Sequence, residues 1–321
     1  MFKYLIKRLL FALIGFCLIV FTCFILVKIA TIKPQKPPLM SPVTWENLCE
    51  KEGYDKPVLE QFFAWSKKIF RGDFGFSIKK NQKVFDIVYS KIPLTIKMNI
   101  IPTLLSIPLG IMFAIIAVKK KNSFVDHAIN LFSIIILTLG TLIISILAQY
   151  FLVHLIHCFP YQVATPAEWE EKGFWFGVYS YLLPLLIMTL LNMVFYIRRI
   201  RGELIEQTSK DYFLLARSKG LSFNQSIYRH GLKNALVPYA PLLFAEIAGL
   251  ITGSFLIEKI FSIDGTGSLL IESFSSQDQP LLMFCFSFFT FVGLITNICG
   301  DLSYLLLDPR MKIGSTKNET D

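Results

Sequence analysis

Long apolar runs with almost no charged residues alternate along the chain with shorter polar segments. Each of six runs is long enough to cross the hydrocarbon core of a bilayer as an α-helix, which takes about 20 residues. The six predicted spans are Leu9–Val27, Met98–Val118, Ala128–Val153, Tyr179–Ile197, Val237–Ile257 and Leu281–Leu307. The pattern predicts an all-α polytopic membrane protein with six transmembrane helices.

Lys and Arg residues concentrate at the ends of three spans. Lys3, Lys7 and Arg8 precede the first span, residues 119–121 follow the second, and residues 198–201 follow the fourth. Because positive charge is retained on the cytoplasmic side, these ends are expected in the cytoplasm. Six spans then place both termini in the cytoplasm, in a multi-pass protein of the cell inner (plasma) membrane. No small-x-small cleavage site follows the first span, so it is expected to remain as an N-terminal anchor.

The spans divide the chain into four predicted parts. They are an N-terminal transmembrane helix (1–30), an extracytoplasmic loop subdomain (31–91), a transmembrane domain (92–312) with a polar central loop (198–238), and a cytoplasmic tail (313–321). The side assigned to the loop subdomain follows from the first helix. The lysines near its end favour the opposite side, but the charge rule is weak for loops of this length.

Composition agrees with a membrane protein and excludes a set of ordinary soluble domains. Hydrophobic residues make up 54% of the chain, charged residues 17%, and the mean hydropathy is +0.55. The net charge of +9 sits mostly at span ends, where cytoplasmic retention explains it, so no nucleic-acid partner is expected. Four of the six cysteines fall in apolar runs, whereas Cys49 and Cys158 fall in predicted extracytoplasmic segments and a disulfide between them stays open.

The central loop is the most polar part of the transmembrane domain, with eight Lys and Arg residues against three acidic residues. Thr208 with Asp211, and Ser222 with Gln225, have the spacing of capping boxes that begin helices. Gly220 suits the left-handed position that ends a helix. The loop is therefore predicted to fold as a helix–Gly–helix element.

Two interpretations of this element follow from its apolar side, which includes Tyr212, Leu215 and Leu221. An amphipathic segment of this kind can lie on the bilayer surface. Small residues at Ala216 and Gly220, an internal turn and two caps instead favour a compact hairpin that docks into a groove of another protein.

Other chemical signals in the sequence are weaker. No phosphate-binding Gly-x-x-x-x-Gly-Lys-[Ser/Thr] motif is present, so the chain is not expected to hydrolyse nucleotide itself. His154, His157 and Cys158 have a spacing compatible with metal binding, but no further ligand accompanies them, and no metal site is predicted.

Among charged residues within spans, Glu246 is expected to face a pore or a polar helix contact. For Asp301, snorkelling or an Arg310 partner is the favoured explanation.

The joint pattern of short motifs resembles ABC importer permeases of the dipeptide/oligopeptide type. The stretch Asp211–Ser222, followed by His230 and Asn234, is similar to the cytoplasmic "EAA" loop of these permeases, with Leu214-Leu215-Ala216 where the general motif has Glu-Ala-Ala. The stretch Gly253–Ser262, and the residues from Asn297 through Asp301 to Arg310, continue the same pattern.

The resemblance implies a permease subunit that binds no cofactor, because ATP is used by partner subunits. The implied partners are a second homologous permease, two cytoplasmic ATPase subunits, an extracytoplasmic substrate-binding protein and the lipid bilayer. The implied ATPase-coupling residues are Asp211, Tyr212, Leu215, Ala216, Lys219, Gly220, Leu221, His230 and Asn234. The implied pathway or gating residues are Glu246, Gly253, Glu258, Asn297 and Asp301.

Two alternatives remain open at the level of sequence. In the first, the same permease type carries nickel, a glutathione-like peptide or another small solute instead of di- and oligopeptides. A membrane-embedded enzyme that uses His154 and His157 is the alternative from a different class, but the sequence holds no complete catalytic constellation for it.

Overall fold

The computed structural model describes residues 2–30, 41–42, 56–77 and 79–307, most of which are helical. In chain order the elements are α1 (Phe2–Ala30), α2 (Val58–Phe70), β1 (Phe76–Ser77), β2 (Gln82–Lys83), α3 (Val84–Lys119), α4 (Phe124–Ala148), α5 (Pro166–Lys172), α6 (Phe174–Thr208), α7 (Asp211–Ser218), α8 (Phe223–Ser226), α9 (Leu232–Leu236), α10 (Ala240–Thr252), α11 (Phe255–Ile260), α12 (Thr266–Ser275) and α13 (Gln279–Leu307). Short π-helical segments follow α4 (Gln149–Leu155) and α8 (Ile227–Gly231), and a 3₁₀ turn (Val237–Tyr239) precedes α10.

The predicted class, an all-α polytopic membrane protein, is confirmed. Within the described residues, five helices are long and apolar enough to cross a membrane: Ile6–Ile29, Val84–Lys119, Phe124–Leu155, Phe174–Thr208 and Gln279–Ser303. A sixth span results if Phe223–Tyr239 and Leu242–Ile260, which meet at a bend of 52°, are counted together. The predicted tail (313–321), Cys49 and most of the first half of the 31–91 segment lie outside the described residues.

Helices α3 and α6 share the most extensive interface of the described bundle. They approach closely at Gly110, where an added Cβ atom would lie 2.5 Å from the Tyr196 Cβ atom and 3.3 Å from the Met193 carbonyl oxygen. Helix α3 continues through Pro93, Pro102 and Pro108. Pro102 is buried, which agrees with the prediction that this span packs in the bundle interior.

Two of the four clusters of buried side chains in the described residues lie toward opposite ends of the α3–α6 pair. The first joins α3 and α6 to the segment after Asp211 and contains Ala114, Ile115, Val118, Tyr196, Ile200, Leu204, Phe213, Ile227, Ala235 and Tyr239. The second joins α3, α4, α6 and α11 and contains Met98, Ile144, Val163, Leu183, Ile187, Met188, Ile257, Phe261 and Ile263. Because α3 and α6 contribute to both clusters, they connect the two ends of the molecule mechanically.

Two glycines interrupt helices that the sequence pattern presents as continuous apolar runs. Gly140 within α4 has φ 71° and ψ 172°, and Gly253 between α10 and α11 has φ 74° and ψ 178°. Only glycine adopts this backbone region without strain. The segment predicted as a loop after Ile257 folds into the end of α11 and the whole of α12.

The short β-hairpin of β1 and β2 attaches the end of the 31–91 segment to the bundle. Its Ser77 hydroxyl, which is buried, donates a hydrogen bond to the buried carboxylate of Asp278 at the turn between α12 and α13. Burial raises the pKa of Asp278, and the bond from Ser77 opposes that shift. On the hairpin surface, the Lys80 Nζ atom lies 2.7 Å from the Glu272 Oε2 atom.

Replacing Gly110 with alanine should destabilise the protein, because the new methyl group overlaps Tyr196 in the α3–α6 interface. We expect a loss of about 2 kcal/mol, typical of an overpacked core, and a lower midpoint of thermal unfolding in detergent. Gly202→Ala in α6 is the matched control, since nothing lies within 4 Å of its added Cβ atom and alanine favours the helix. Equal unfolding midpoints for the two variants would contradict the assigned close contact.

Candidate functional site

The segment 211–236, here called the basic hairpin, projects from the end of α6 and returns to the bundle. Helix α7 ends before Gly220, which has φ 91°, the left-handed conformation that the sequence predicted. The predicted capping box at Ser222 is also confirmed. The Ser222 amide donates to the Gln225 Oε1 atom at 2.9 Å, and the Gln225 amide donates to the Ser222 Oγ atom at 3.2 Å.

The predicted capping box at Thr208 and Asp211 is wrong. Helix α6 continues to Thr208, whose hydroxyl donates to the Ile205 carbonyl oxygen at 2.7 Å and so belongs to the last turn of that helix. Helix α7 begins after Lys210 without a side-chain cap. The Lys210 ammonium instead lies 2.9 Å from the Glu206 carboxylate, and this contact raises the pKa of Lys210.

One side of the basic hairpin is anchored in the bundle core. Phe213, only 2% exposed, and Ala216 are buried, and the Phe213 ring meets the Phe223 ring edge-on with centroids 5.8 Å apart. Phe213 belongs to the same buried cluster as Leu204 of α6 and Val118 of α3. Ala216, predicted as a coupling residue, thus lies on the anchored side.

The opposite side of the basic hairpin is exposed. It carries six predicted coupling residues, Asp211, Leu215, Lys219, Gly220, His230 and Asn234. Tyr212 and Leu221 are half-buried, and the Tyr212 hydroxyl donates to the Gln207 Oε1 atom at 2.5 Å. Leu214 and Leu215 are both more than half exposed. An apolar pair on a polar surface is suited to insertion into a protein groove.

Sequence reasoning missed a buried ion pair beside this hairpin. The Arg201 Nε atom donates to Asp126 Oδ1 at 2.7 Å, and its Nη2 atom donates to Oδ2 at 2.9 Å. Asp126 is only 1% exposed and also accepts the Asn122 amide at 3.0 Å. The pair fixes the start of α4 against the end of α6. The available signal was a lone Asp at the edge of an apolar run, within reach of a basic segment.

A second polar site lies at the helix break on the opposite side of the bundle. We call it the glutamate cluster: Thr95, Gly253, Glu258 and residues 265–268. Glu258 is 2% exposed, and its Oε2 atom accepts the Ser268 amide at 2.9 Å. The Thr95 hydroxyl oxygen accepts the Thr266 amide at 2.7 Å. The structure thus brings together two predicted pathway residues, Gly253 and Glu258.

Glycines make room for the buried carboxyl group of Glu258. A Cβ atom at Gly253 or Gly265 would overlap it, and one at Gly267 would lie 3.0 Å from its Oε2 atom. The Glu258 Oε1 atom is buried without a hydrogen-bond partner among the described residues. The three glycines therefore enclose the carboxyl group tightly. This role of Gly265 and Gly267 was not predicted from the sequence.

The other three predicted pathway residues lie elsewhere. Glu246 of α10 interacts electrostatically with the Tyr196 hydroxyl of α6. Asn297 and Asp301 of α13 line a cleft against α1, where Asp301 forms an ion pair with Arg8. Arg310, the partner suggested by sequence, lies outside the described residues. The five residues do not form one site.

The described residues contain no group of three or more His, Cys, Asp or Glu side chains arranged to hold a metal ion. His154 lies in the π-helical segment after α4 and stacks on Tyr150 with ring centroids 6.1 Å apart. His157 and Cys158 follow that segment.

The chain matches one family model and is similar along almost its whole length to several known proteins. The family model described as "Binding-protein-dependent transport system inner membrane component" matches residues 106–313. The dipeptide transport system permease protein DppB of Lactococcus lactis subsp. cremoris is 30% identical over 98% of this chain and 100% of its own length. DppB of Bacillus subtilis is 31% identical (98% and 99%), and the oligopeptide transport system permease protein OppB of Haemophilus influenzae is 28% identical (97% and 100%).

Removing the Asp126 carboxylate should strongly destabilise the junction of α4 and α6. Asp126→Ala leaves the Arg201 guanidinium without its buried partner, which costs about 3 kcal/mol, and should lower the midpoint of thermal unfolding in detergent. The double variant Asp126→Leu with Arg201→Met removes both charges and should recover most of the loss. A double variant at least as unstable as Asp126→Ala would show that the pair is not the cause.

Proposed function

Because the chain belongs to the family of binding-protein-dependent transport system inner membrane components, we propose that its basic hairpin is the surface on which ATP-hydrolysing subunits act. The chain is a membrane-spanning permease subunit of an importer for di- and oligopeptides. The observation that supports the proposed coupling role is the difference between the two sides of the basic hairpin. One side is continuous with the bundle core, and the other presents two exposed leucines.

We place the permease in the inner membrane of the cell, with the basic hairpin and both termini in the cytoplasm. The basic ends of the spans support that orientation. The partners in this arrangement are a second homologous permease, two ATPase subunits on the cytoplasmic side and a substrate-binding protein on the other side. ATP is bound and hydrolysed by the ATPase subunits, and this chain contributes movement of its spans.

Contact with an ATPase subunit is proposed to occur through Leu214 and Leu215, with Asp211 and Lys219 at the polar edge. All four side chains are exposed. Burying such an apolar pair in a groove gives affinity, while the surrounding charges fix the orientation of docking. Through this contact, closure of the ATPase subunits around nucleotide would pull the hairpin.

Displacement of the hairpin passes into the spans through Phe213, which packs in the cluster shared by α3 and α6. The Asp126–Arg201 pair extends this connection to the start of α4. At the far end of the bundle, the second buried cluster joins these three helices to α11. Because close-packed interiors transmit displacement rather than absorb it, the spans tilt together.

The proposed result of this tilt is a change at the glutamate cluster. Thr95 belongs to α3, whereas Glu258 belongs to α11 and its bonding partner Ser268 belongs to α12. Movement of α3 and α11 relative to α12 alters the two hydrogen bonds, from Thr266 to Thr95 and from Ser268 to Glu258, that hold α12 beside the Gly253 break. We therefore assign Gly253 and Glu258 to gating of the peptide pathway at this end.

Leu215→Asp should weaken the association with the ATPase subunits. A charge at the centre of an apolar contact typically costs enough to lower affinity at least about tenfold. The measurement is the amount of ATPase subunit retained when the complex is purified through a tag on this chain, together with peptide uptake in reconstituted vesicles.

The matched control is Leu59→Asp in α2. Leu59 is 57% exposed and Leu215 is 55% exposed, so the two substitutions change surface polarity equally. Leu59→Asp should retain the ATPase subunits in full. Undiminished ATPase retention by Leu215→Asp, in a correctly folded complex, would exclude the hairpin as the docking surface.

Gly220→Val should uncouple ATP hydrolysis from transport. Nothing lies within 4 Å of an added Cβ atom, so the effect arises from forcing a β-branched residue into the left-handed region, at about 1–3 kcal/mol. Gly220→Asn, which tolerates that region, should retain most of the uptake. Substrate-stimulated ATP turnover and peptide uptake are measured side by side. Normal values of both in the valine variant would contradict the coupling role.

A further inference from the structure

A cleft of about 570 Å³ opens between α1 and α13, away from both the basic hairpin and the glutamate cluster. This volume lies within the range of about 300–1,000 Å³ that is usual for small-molecule sites. Its polar lining consists of Lys7, Arg8, Asn297 and Asp301, and its apolar lining includes Phe11 and Leu294. We propose that this cleft binds one anionic phospholipid, with the phosphate at the charged end and one acyl chain along the apolar walls.

The charged end has an excess of positive charge. Asp301 pairs with Arg8, which neutralises that cation and fixes α1 against α13. Lys7 has no carboxylate partner among the described residues, and its ammonium group lies 5.9 Å from the centre of the Phe11 ring. A basic recess between transmembrane helices at the membrane surface attracts anionic headgroups over neutral ones.

Asn297 supplies an independent observation one helical turn deeper than Asp301. Its side chain is exposed to the cleft and makes no hydrogen bond with any described residue. An amide without a partner is costly in the hydrocarbon region of a bilayer. The ester carbonyls of a phospholipid lie just below its phosphate, so the Asn297 amide is placed to donate to them.

The depth of the cleft suits an acyl chain. Ala12 contributes only a methyl group to the wall, and nothing lies within 4 Å of a Cβ atom added at Gly15. The edge-on contact of Phe16 and Phe291, with ring centroids 6.2 Å apart, lies about one helical turn beyond the lining residues Ala12 and Leu294. Along the lining, from Lys7 to Ala12, α1 rises about 8 Å. The cleft therefore runs from the headgroup level into the hydrocarbon.

The test compares lipids retained by the complete complex, purified in mild detergent and supplied with phosphatidylglycerol or phosphatidylcholine of identical acyl chains. Native mass spectrometry should show one phosphatidylglycerol bound tightly to this chain and much less phosphatidylcholine. Lys7→Gln should lower phosphatidylglycerol occupancy about fivefold, the factor expected for one basic residue near a headgroup. Lys120→Gln, an equal charge change at the exposed end of α3, should leave it unchanged.

A second variant separates a shaped site from simple surface attraction. Ala12→Phe keeps every charge but fills the apolar part of the cleft, and it should lower the retention of phosphatidylglycerol at least about fivefold. Three outcomes would overturn the proposal: equal losses in Lys7→Gln and Lys120→Gln, full retention in Ala12→Phe, or efficient cross-linking of Ala12→Cys to the second permease, which would show that a protein covers the cleft.

Discussion

In the hydrocarbon of a membrane, backbone groups must find hydrogen-bond partners within the protein, and this constraint explains the architecture around the Gly253 break. The break leaves carbonyl groups at the end of α10 without intrahelical partners, and the start of α12 nearby adds amide groups that also lack them. The Thr266 hydroxyl donates to the Ile251 carbonyl oxygen at 2.8 Å, while Thr95 and Glu258 accept amides at the start of α12. Three side chains, of which Thr95 comes from the distant helix α3, thus stabilise the break.

The same constraint explains why glycine surrounds Glu258. A carboxyl group reaches the amides of α12 only if the neighbouring backbone carries no side chains, and Gly253, Gly265 and Gly267 provide that space. The break, the glutamate and the glycines are therefore one structural unit. Thr95 of α3 also bonds to this unit. Helix α3 belongs to the α3–α6 pair, which extends to the basic hairpin. The hydrogen bonds that stabilise the break are therefore connected through α3 to the opposite end of the molecule.

Features with a local chemical signature were predictable from the sequence. The apolar runs predicted the spans, and the left-handed turn at Gly220 and the cap at Ser222 followed from nearby residues. The capping box predicted at Thr208 does not form, because α6 extends as a packed helix beyond its apolar run and includes Thr208. Tertiary context overrode local preference at that position.

Features that depend on distant pairs were not predictable from one sequence. Asp126 and Arg201 are 75 residues apart, and Thr95 and Thr266 are 171 residues apart. A span-edge aspartate and a basic flank each have ordinary explanations when considered alone. The break at Gly253 was hidden because an apolar run has the same composition whether its helix is continuous or bent.

The unbroken length of α6 has a mechanical consequence. Its 35 residues extend for about 52 Å, well beyond the hydrocarbon thickness of about 30 Å, so the helix is long enough to pass the hydrocarbon at both ends. Such a helix acts as a lever with its fulcrum inside the bilayer. A tilt of about 5° about the midpoint moves each end by about 2 Å in opposite directions. Side chains at the two ends can therefore exchange partners while those at the fulcrum keep theirs.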